Sequence, residues 1–281
     1  MKEKLGLDAI KDFWTRQAAE HQLATSVSWA DQPIIDLEVQ AIVKHLHDGD
    51  RVLDVGCANG YSTTQFALHR QIRIRGLDYI PEMVEQARLR LKDPHLAAQL
   101  ADRVEFDVGN IMALAEPAAT YDKVVVTRVV INLAEWKNQL NALRQCAAVL
   151  KPGGLLLLCE STHQGWDRLN KFRQEWGLSS IPMPPHNQFL DENRVMGETP
   201  KELEFVSLHD FSSTYFIGTR LLKPLLIQAL GADIDGADTT MEWNRWFAQL
   251  PAIGDYGKQK LFVFRKRAAA GSGSVSESRA T

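Results

Sequence analysis

The segment Val52-Leu53-Asp54-Val55-Gly56-Cys57-Ala58-Asn59-Gly60-Tyr61-Ser62-Thr63 concentrates residue types that could do chemistry. An apolar run ends in a carboxylate, passes through a glycine turn and gives way to residues that can open a helix. Open α/β sheets bind ligands at such a turn, because the order of strands reverses there. Gly56 and Gly60 carry no Cβ, so their backbone can lie close to a bound molecule. Two phosphate-binding loops are excluded by the spacing. A dinucleotide fingerprint needs G-x-G-x-x-G, but counting from Gly56 the later positions are Ala58 and Tyr61. A Walker loop needs Gly-Lys-Ser/Thr, which does not follow. What remains is G-x-x-x-G with Asp54 two residues before the first glycine.

The surrounding chain must place that turn at a strand end, and its pattern does so. Apolar runs at Arg51–Val55, Ile72–Leu77, Val104–Asp107, Lys123–Arg128 and Leu155–Glu160 alternate with helical periods at Thr63–His69, Pro81–Leu91 and Glu135–Leu150. Buried strands separated by helices indicate βαβ units and a mostly parallel sheet. Further strands are expected at Val206–Ser212 and Leu261–Arg265. Amphipathic helices are expected at residues 8–24 and 33–47, ahead of the first strand. Residues 161–200, rich in Pro, Asn, Trp and Met, are too long and polar for an ordinary connection and are expected to lie over the active face.

The glycine segment resembles the first motif of the class I S-adenosylmethionine-dependent methyltransferases, an acidic residue, x, Gly, three residues, Gly, x, Gly. The last glycine is Ser62 here. Four further segments fall where that family expects them: Arg75-Gly76-Leu77-Asp78-Tyr79, Asp107-Val108-Gly109-Asn110-Ile111, Tyr121–Arg128 and Leu150-Lys151-Pro152-Gly153-Gly154. The resemblance covers roughly residues 48–160 and, more weakly, the final strands. It implies a Rossmann-like, doubly wound, mostly parallel seven-stranded sheet in residues 48–267, an N-terminal helical cap in 1–47 and a lid insertion at 161–200 after the fifth strand. The Gly/Ser-rich tail, 268–281, has nothing to bury and is expected to be disordered. It implies S-adenosylmethionine as cofactor, held by Asp54, Gly56, Cys57, Gly60, Asp78, Tyr79, Met83, Gly109, Asn110, Ile111 and Thr127. Asp78 would accept the ribose hydroxyls. Asn110 stands where the family commonly has Asp, and its side-chain oxygen can still accept from the adenine amino group.

The acceptor side carries fewer signals. Arg128 and Asn132 follow the fourth strand, where acceptors lie in this family, and Trp14, Trp29 and Asn187 belong to segments that could close over the site. His163, at the end of the fifth strand, and His186, in the insertion, are the candidates for a catalytic base. No set of histidines and carboxylates has metal-ligand spacing, so a metal-free enzyme is expected. The resemblance and the extra segments favour methylation of a small polar molecule on oxygen, of the sugar or secondary-metabolite kind. An RNA or protein methyltransferase and a non-catalytic S-adenosylmethionine-binding partner subunit are the alternatives.

Composition sets the outer bounds. The 281 residues are 45% hydrophobic and 24% charged with net charge −3, which disfavours nucleic acid and anionic membrane as partners. The opening Met1-Lys2-Glu3-Lys4 leads into a polar stretch without an apolar signal core. No run approaches the ~18 apolar residues of a membrane span. Cys57, Cys146 and Cys159 form no disulfide or zinc spacing, so free thiols and a cytoplasmic location are expected. The expected partner is a small-molecule acceptor, with no membrane association, and the expected state is a monomer or homodimer.

Overall fold

Valine and leucine runs supply the strands β1 (Arg51–Val55), β2 (Arg73–Asp78), β3 (Val104–Val108), β4 (Tyr121–Thr127) and β5 (Leu150–Ser161), joined by β6 (Leu203–His209) and β7 (Gln259–Lys266). They come from a computed structural model, which describes residues 5–100 and 102–268. All seven lie in one sheet in the order β3-β2-β1-β4-β5-β7-β6. The first five run parallel, while β7 runs antiparallel to both β5 and β6. The doubly wound, mostly parallel sheet expected from the sequence is therefore present. The tail expected to be disordered, Ala268 apart, lies outside the described residues.

Successive valines of β4 show why an unbroken apolar run was needed. Val124 and Val126 face a cluster with Leu143, Ala147, Leu156 and Leu158, whereas Val125 faces Ile42, Phe66, Leu157 and Val263. All three valines are fully buried, as a strand covered on both faces requires. The helices are α1 (Leu7–His21), α2 (Gln32–Val43), α3 (Tyr61–His69), α4 (Pro81–Arg90), α5 (Pro94–Leu100), α6 (Trp136–Val149), α7 (His163–Glu175), α8 (Glu192–Gly197), α9 (Ser213–Ile217), α10 (Lys223–Leu230) and α11 (Glu242–Gln249).

Two expected assignments change. Helix α2 is part of the layer on the sheet, with Val39, Ile42 and Val43 in the cluster of Phe66 and Leu157, so only α1 and the turn after it cap the molecule. Most of 161–200 is core. Trp166, Phe189, Leu190 and Val195 join the main cluster, and Leu169 packs on Ile34, Tyr215 and Phe216. The polar composition hid this because α7 buries only a narrow stripe, and its start is capped by the Thr162 hydroxyl accepting from the Gly165 N–H.

The C-terminal helices brace the turn before α2. The buried Asp31 carboxylate accepts hydrogen bonds from the Tyr215 hydroxyl and the Arg220 guanidinium, and the Tyr215 oxygen accepts from Asn244 at 2.9 Å. Arg220 sits in a π-helical turn, Gly218–Leu222, between α9 and α10. Thr239 donates to the Ala30 carbonyl at 2.9 Å. The segment Trp29–Asp31 is thereby held from behind.

Candidate active site

The carboxyl ends of β1, β2, β3 and β4 open into a cavity of about 560 Å³, at the point where strand order reverses between β1 and β4. Its walls include Asp54–Asn59, Asp78–Ile80, Met83, Gly109–Met112 and Thr127–Val129, with α1 and residues Pro184, His186 and Asn187 on the outer side. Gly56, Cys57, Tyr79, Met83, Asn110, Ile111 and Thr127 are all in this wall, as are Trp14, Trp29, Arg128, Asn132 and Asn187. Gly60 and His163 are not.

On the floor, Asp54 is buried and accepts from the Thr63 hydroxyl at 2.5 Å. Burial pushes its carboxyl up to about 7. Asp78 accepts two backbone N–H groups, from Ala58 at 2.8 Å and Ile80 at 2.9 Å. Burial raises it to about 6, against the opposing pull of the Ile80, Ala58 and Tyr79 amides. Two amides therefore hold the Asp78 carboxylate at the rim of the glycine turn, where Ala58 itself takes a left-handed φ of 47°. Met83 is buried among Trp14, Ile80 and Ala58, and Lys11 from α1 lies 5.0 Å above the Tyr79 ring. The Asn110 side-chain oxygen accepts the Met112 N–H at 2.9 Å, which leaves it one lone pair. The Thr127 hydroxyl and the Asn132 side-chain oxygen are buried without a hydrogen-bond partner among the described residues. The Cys57 thiol is pushed well up by burial, so it is no nucleophile.

The glycines clear space for protein as much as for a ligand. At Gly56, with φ of 83°, an added Cβ would lie 2.0 Å from a methyl of Val129. At Gly60, with φ of 76°, it would lie 2.6 Å from the Phe106 ring, and at Gly109 it would lie 2.9 Å from Leu77. Gly60 thus serves packing beneath the turn, which is why it does not reach the cavity.

The acceptor-side residues divide. His186 stacks on Phe13 at 4.4 Å between ring centroids and meets the edge of Trp14 at 5.6 Å; burial lowers its pKa. His163 opens α7, donates its N–H to the Leu190 carbonyl at 2.8 Å and turns its ring toward Gln188 and Phe189. Helix start and capping direct it away from the cavity, which corrects its expected catalytic place. Ser161, two residues earlier on β5, is the one that lines the cavity. Arg128, at a left-handed φ of 58°, is spent internally. Its Nε lies 3.2 Å from the buried Glu38 carboxylate and its terminal nitrogens donate to the Ser28 carbonyl and hydroxyl at 3.2 and 3.3 Å. Glu38 is raised to about 7 by burial, with Arg128 pulling the other way. Glu160 accepts the Val129 and Val130 N–H groups at 2.9 and 2.7 Å and so holds the loop after β4.

Lys258 was not visible in the sequence as a site residue. It enters the cavity wall because β7 pairs antiparallel with β5, setting Gln259 opposite Ser161. Its only sequence signal is a lysine after Gly257 at the start of the last strand, about a hundred residues from the motifs it joins.

Comparison with known proteins decides the family. The family model described as methyltransferase domain matches residues 52–154. The 27-O-demethylrifamycin SV methyltransferase of Amycolatopsis mediterranei is 34% identical over 215 residues, 74% of this chain and 76% of that protein. The chain is a class I S-adenosylmethionine-dependent methyltransferase. The O-methyltransferase resE of Aspergillus sclerotiorum is 27% identical over 167 residues, 58% of this chain and 59% of that one. Among solved structures, phosphoethanolamine N-methyltransferase 1 of Haemonchus contortus shares the fold, with a TM-score of 0.60 at 15% identity over 94% of this chain and 50% of that one.

The wall of this methyltransferase fits its cofactor on its own chemistry. Asp78 keeps two acceptor sites beyond those used by Ala58 and Ile80, enough for the two ribose hydroxyls. Ile80, Met83 and Ile111 offer an apolar slot for the adenine, with the free lone pair of Asn110 at its edge. The unpartnered Thr127 hydroxyl supplies a donor or acceptor that the protein leaves unused. Bound there, S-adenosylmethionine supplies an electrophilic methyl group on a sulfonium.

Proposed function

We propose that this methyltransferase transfers the methyl group to a hydroxyl of a small polar molecule, of the sugar or secondary-metabolite kind, inside a closed chamber. The observation that carries the reading is the roof. Phe13 and Trp14 of α1 meet His186 of the 184–187 segment across the mouth of the cavity, and the Leu5 N–H donates to the Pro185 carbonyl at 3.3 Å. A volume of about 560 Å³ lies in the range of small-molecule sites, which supports an acceptor of that size. The name of the 34% identical relative, 27-O-demethylrifamycin SV methyltransferase, supports the same reading. Among the described residues no helix is long and apolar enough to cross a membrane.

The chamber positions its reactants and keeps water out, which is where most of the acceleration in a displacement of this kind is found. The direct test supplies S-adenosylmethionine labelled in its methyl group to 27-O-demethylrifamycin SV, catechol and a hydroxylated sugar nucleotide, beside bulk RNA and cell protein. Label is expected in a small-molecule fraction, as an ether stable to alkali. Label confined to RNA or protein would sink the reading.

A second test concerns the roof. On adding S-adenosylhomocysteine, amide exchange is expected to slow in residues 7–30 and 184–188, because closing contacts favour one arrangement of segments that have few buried neighbours. Helix α7 and residues 189–195 should exchange slowly with or without ligand, since their side chains belong to the core. Unchanged exchange in 184–188 would mean an open site and return weight to a macromolecular acceptor.

A further inference from the structure

We propose that Lys258 is the base that takes the acceptor's proton, an assignment that rests on reading the cavity as a chamber for a small hydroxyl-bearing acceptor. Its stem is fixed by the backbone, since the Lys258 carbonyl accepts the Thr162 N–H at 2.8 Å beside the β5–β7 pairing. From there the amine reaches a ring of aromatic faces, with Nζ 4.6 Å from the Trp29 centroid, 5.1 Å from Phe189, 5.4 Å from Trp166 and 5.9 Å from Phe216. Its one polar contact among the described residues is the Ser161 hydroxyl at a long 3.4 Å. No carboxylate among them lies within ion-pair distance of it, unlike Lys260 two residues on, which pairs with Glu192 at 2.9 Å. An amine aimed into a cavity with no counter-ion is available to a ligand.

Most other titratable groups of the wall are engaged elsewhere, and Asp8 and Lys11 are exposed on α1. Asp54 and Asp78 are bonded on the cofactor side. His21 shares a hydrogen bond with Ser26 at 3.1 Å, and Arg128 is tied to Glu38 and Ser28. His186 is sandwiched against Phe13 in the roof. Lys11 also lines the cavity, but it is exposed and lies over the Tyr79 ring, whereas Lys258 sits beside Ser161 at the end of β5.

Its surroundings also set its ionisation. Burial is the largest influence and disfavours the ammonium, and the positive charges of Arg220 in the π-helical turn and, more weakly, Arg128 after β4 act in the same sense. Glu38 of α2 and Asp31 ahead of it act in the opposite sense, as do the aromatic faces. The balance places Lys258 at about 7, so much of it is neutral at pH 7.5. In the transfer, the acceptor oxygen bonds to the methyl carbon as the carbon–sulfur bond breaks and its electron pair stays on sulfur. The hydroxyl proton passes to the Lys258 lone pair, which leaves an ammonium that returns its proton to solvent before the next cycle.

Two measurements on the full chain test this. The first needs no acceptor: the protein is labelled with lysine carrying ¹³Cε and ¹⁵Nζ, bound to S-adenosylhomocysteine, and titrated by NMR, with Lys258→Arg to assign the signal. A Lys258 resonance that titrates near neutrality supports the assignment, and one that stays charged above pH 9 overturns it. The second uses 27-O-demethylrifamycin SV as acceptor. Lys258→Ala is expected to lower kcat by about 10²- to 10⁴-fold, the usual reach of a general base, and to flatten the rise of kcat/KM with pH. Added methylamine should restore part of the rate. Lys258→Arg, which keeps the charge and loses the base, should be nearly as slow, while both variants bind S-adenosylmethionine as the wild type does. An arginine variant with most of the activity would show that Lys258 supplies charge only. A wild-type enzyme that transfers nothing to this probe counts against the acceptor class and not against Lys258, whose ionisation is read independently.

Discussion

A valine at position 56 is expected to destabilise the fold by about 2–5 kcal/mol, before any cofactor is added. Two physical effects add. Gly56 has a φ of 83°, and an L-residue held in left-handed backbone costs about 1–2 kcal/mol, with a β-branched side chain at the upper end. The new Cβ would stand 2.0 Å from Val129 Cγ2, so the loop after β4 must move, and overpacking of this kind costs about 1–3 kcal/mol. For a chain of this size the thermal midpoint should fall by roughly 5–15 °C. Val129→Ala in the same chain should recover part of the packing loss and none of the backbone strain, so the two substitutions should be non-additive. Denaturation of the cofactor-free variants measures both. An unchanged midpoint together with lost cofactor binding would mean that the glycine clears a path for ligand alone.

That glycine shows how far the sequence could be read. Its place, two residues after Asp54 at the end of an apolar strand, marked the cofactor turn, because such turns are local and their residues adjacent in the chain. What the missing Cβ makes room for was not local. Val129 lies seventy-three positions on and meets Gly56 only because β4 pairs beside β1. The same holds for Gly60, read as a cofactor residue and found packed on Phe106 of β3. Asp78, Tyr79, Met83, Asn110, Ile111 and Thr127 were legible for the first reason, since each ends or follows a strand whose apolar run announced itself.

The acceptor side was harder for the second reason. His163 stands one residue beyond Thr162, and the start of a helix there turns its ring toward residues 188–189. A polar run with prolines concealed α7, whose buried face is only Gly165, Trp166, Leu169 and Arg173. Lys258 depends on the antiparallel return of β7, a long-range pairing that no spacing in the first 160 residues foretells. His186 and Asn187 were found for an adequate reason, a polar pair between prolines and Phe189, but their partner Phe13 comes from the opposite end of the chain. Function-bearing residues drawn from one strand end can be read singly. Those drawn from several segments need the fold.

Replacing Asp78 by alanine is expected to weaken S-adenosylmethionine binding by roughly 10- to 150-fold, the equivalent of about 1.5–3 kcal/mol for a charge-assisted hydrogen bond to the ribose. The pH dependence separates this role from a structural one. Burial raises the carboxyl from 3.8 to about 6, so in the free enzyme a proton sits on Asp78 below that pH. Ribose hydroxyls donate to the ionised form, and binding at low pH must first displace the proton. Affinity should therefore rise as pH increases through about 6 and level off once the group is fully ionised. Asp78→Asn keeps an oxygen to accept from the Ala58 or Ile80 N–H, so it should fold, yet it has no charge to gain. Its affinity should be low and flat across the same window. Calorimetry of the wild type and both variants between pH 5 and 8 gives the comparison. If the asparagine variant binds as tightly as the wild type at pH 8, or follows the same slope, the ribose is held by another group and Asp78 serves only to tie Ala58 and Ile80 together.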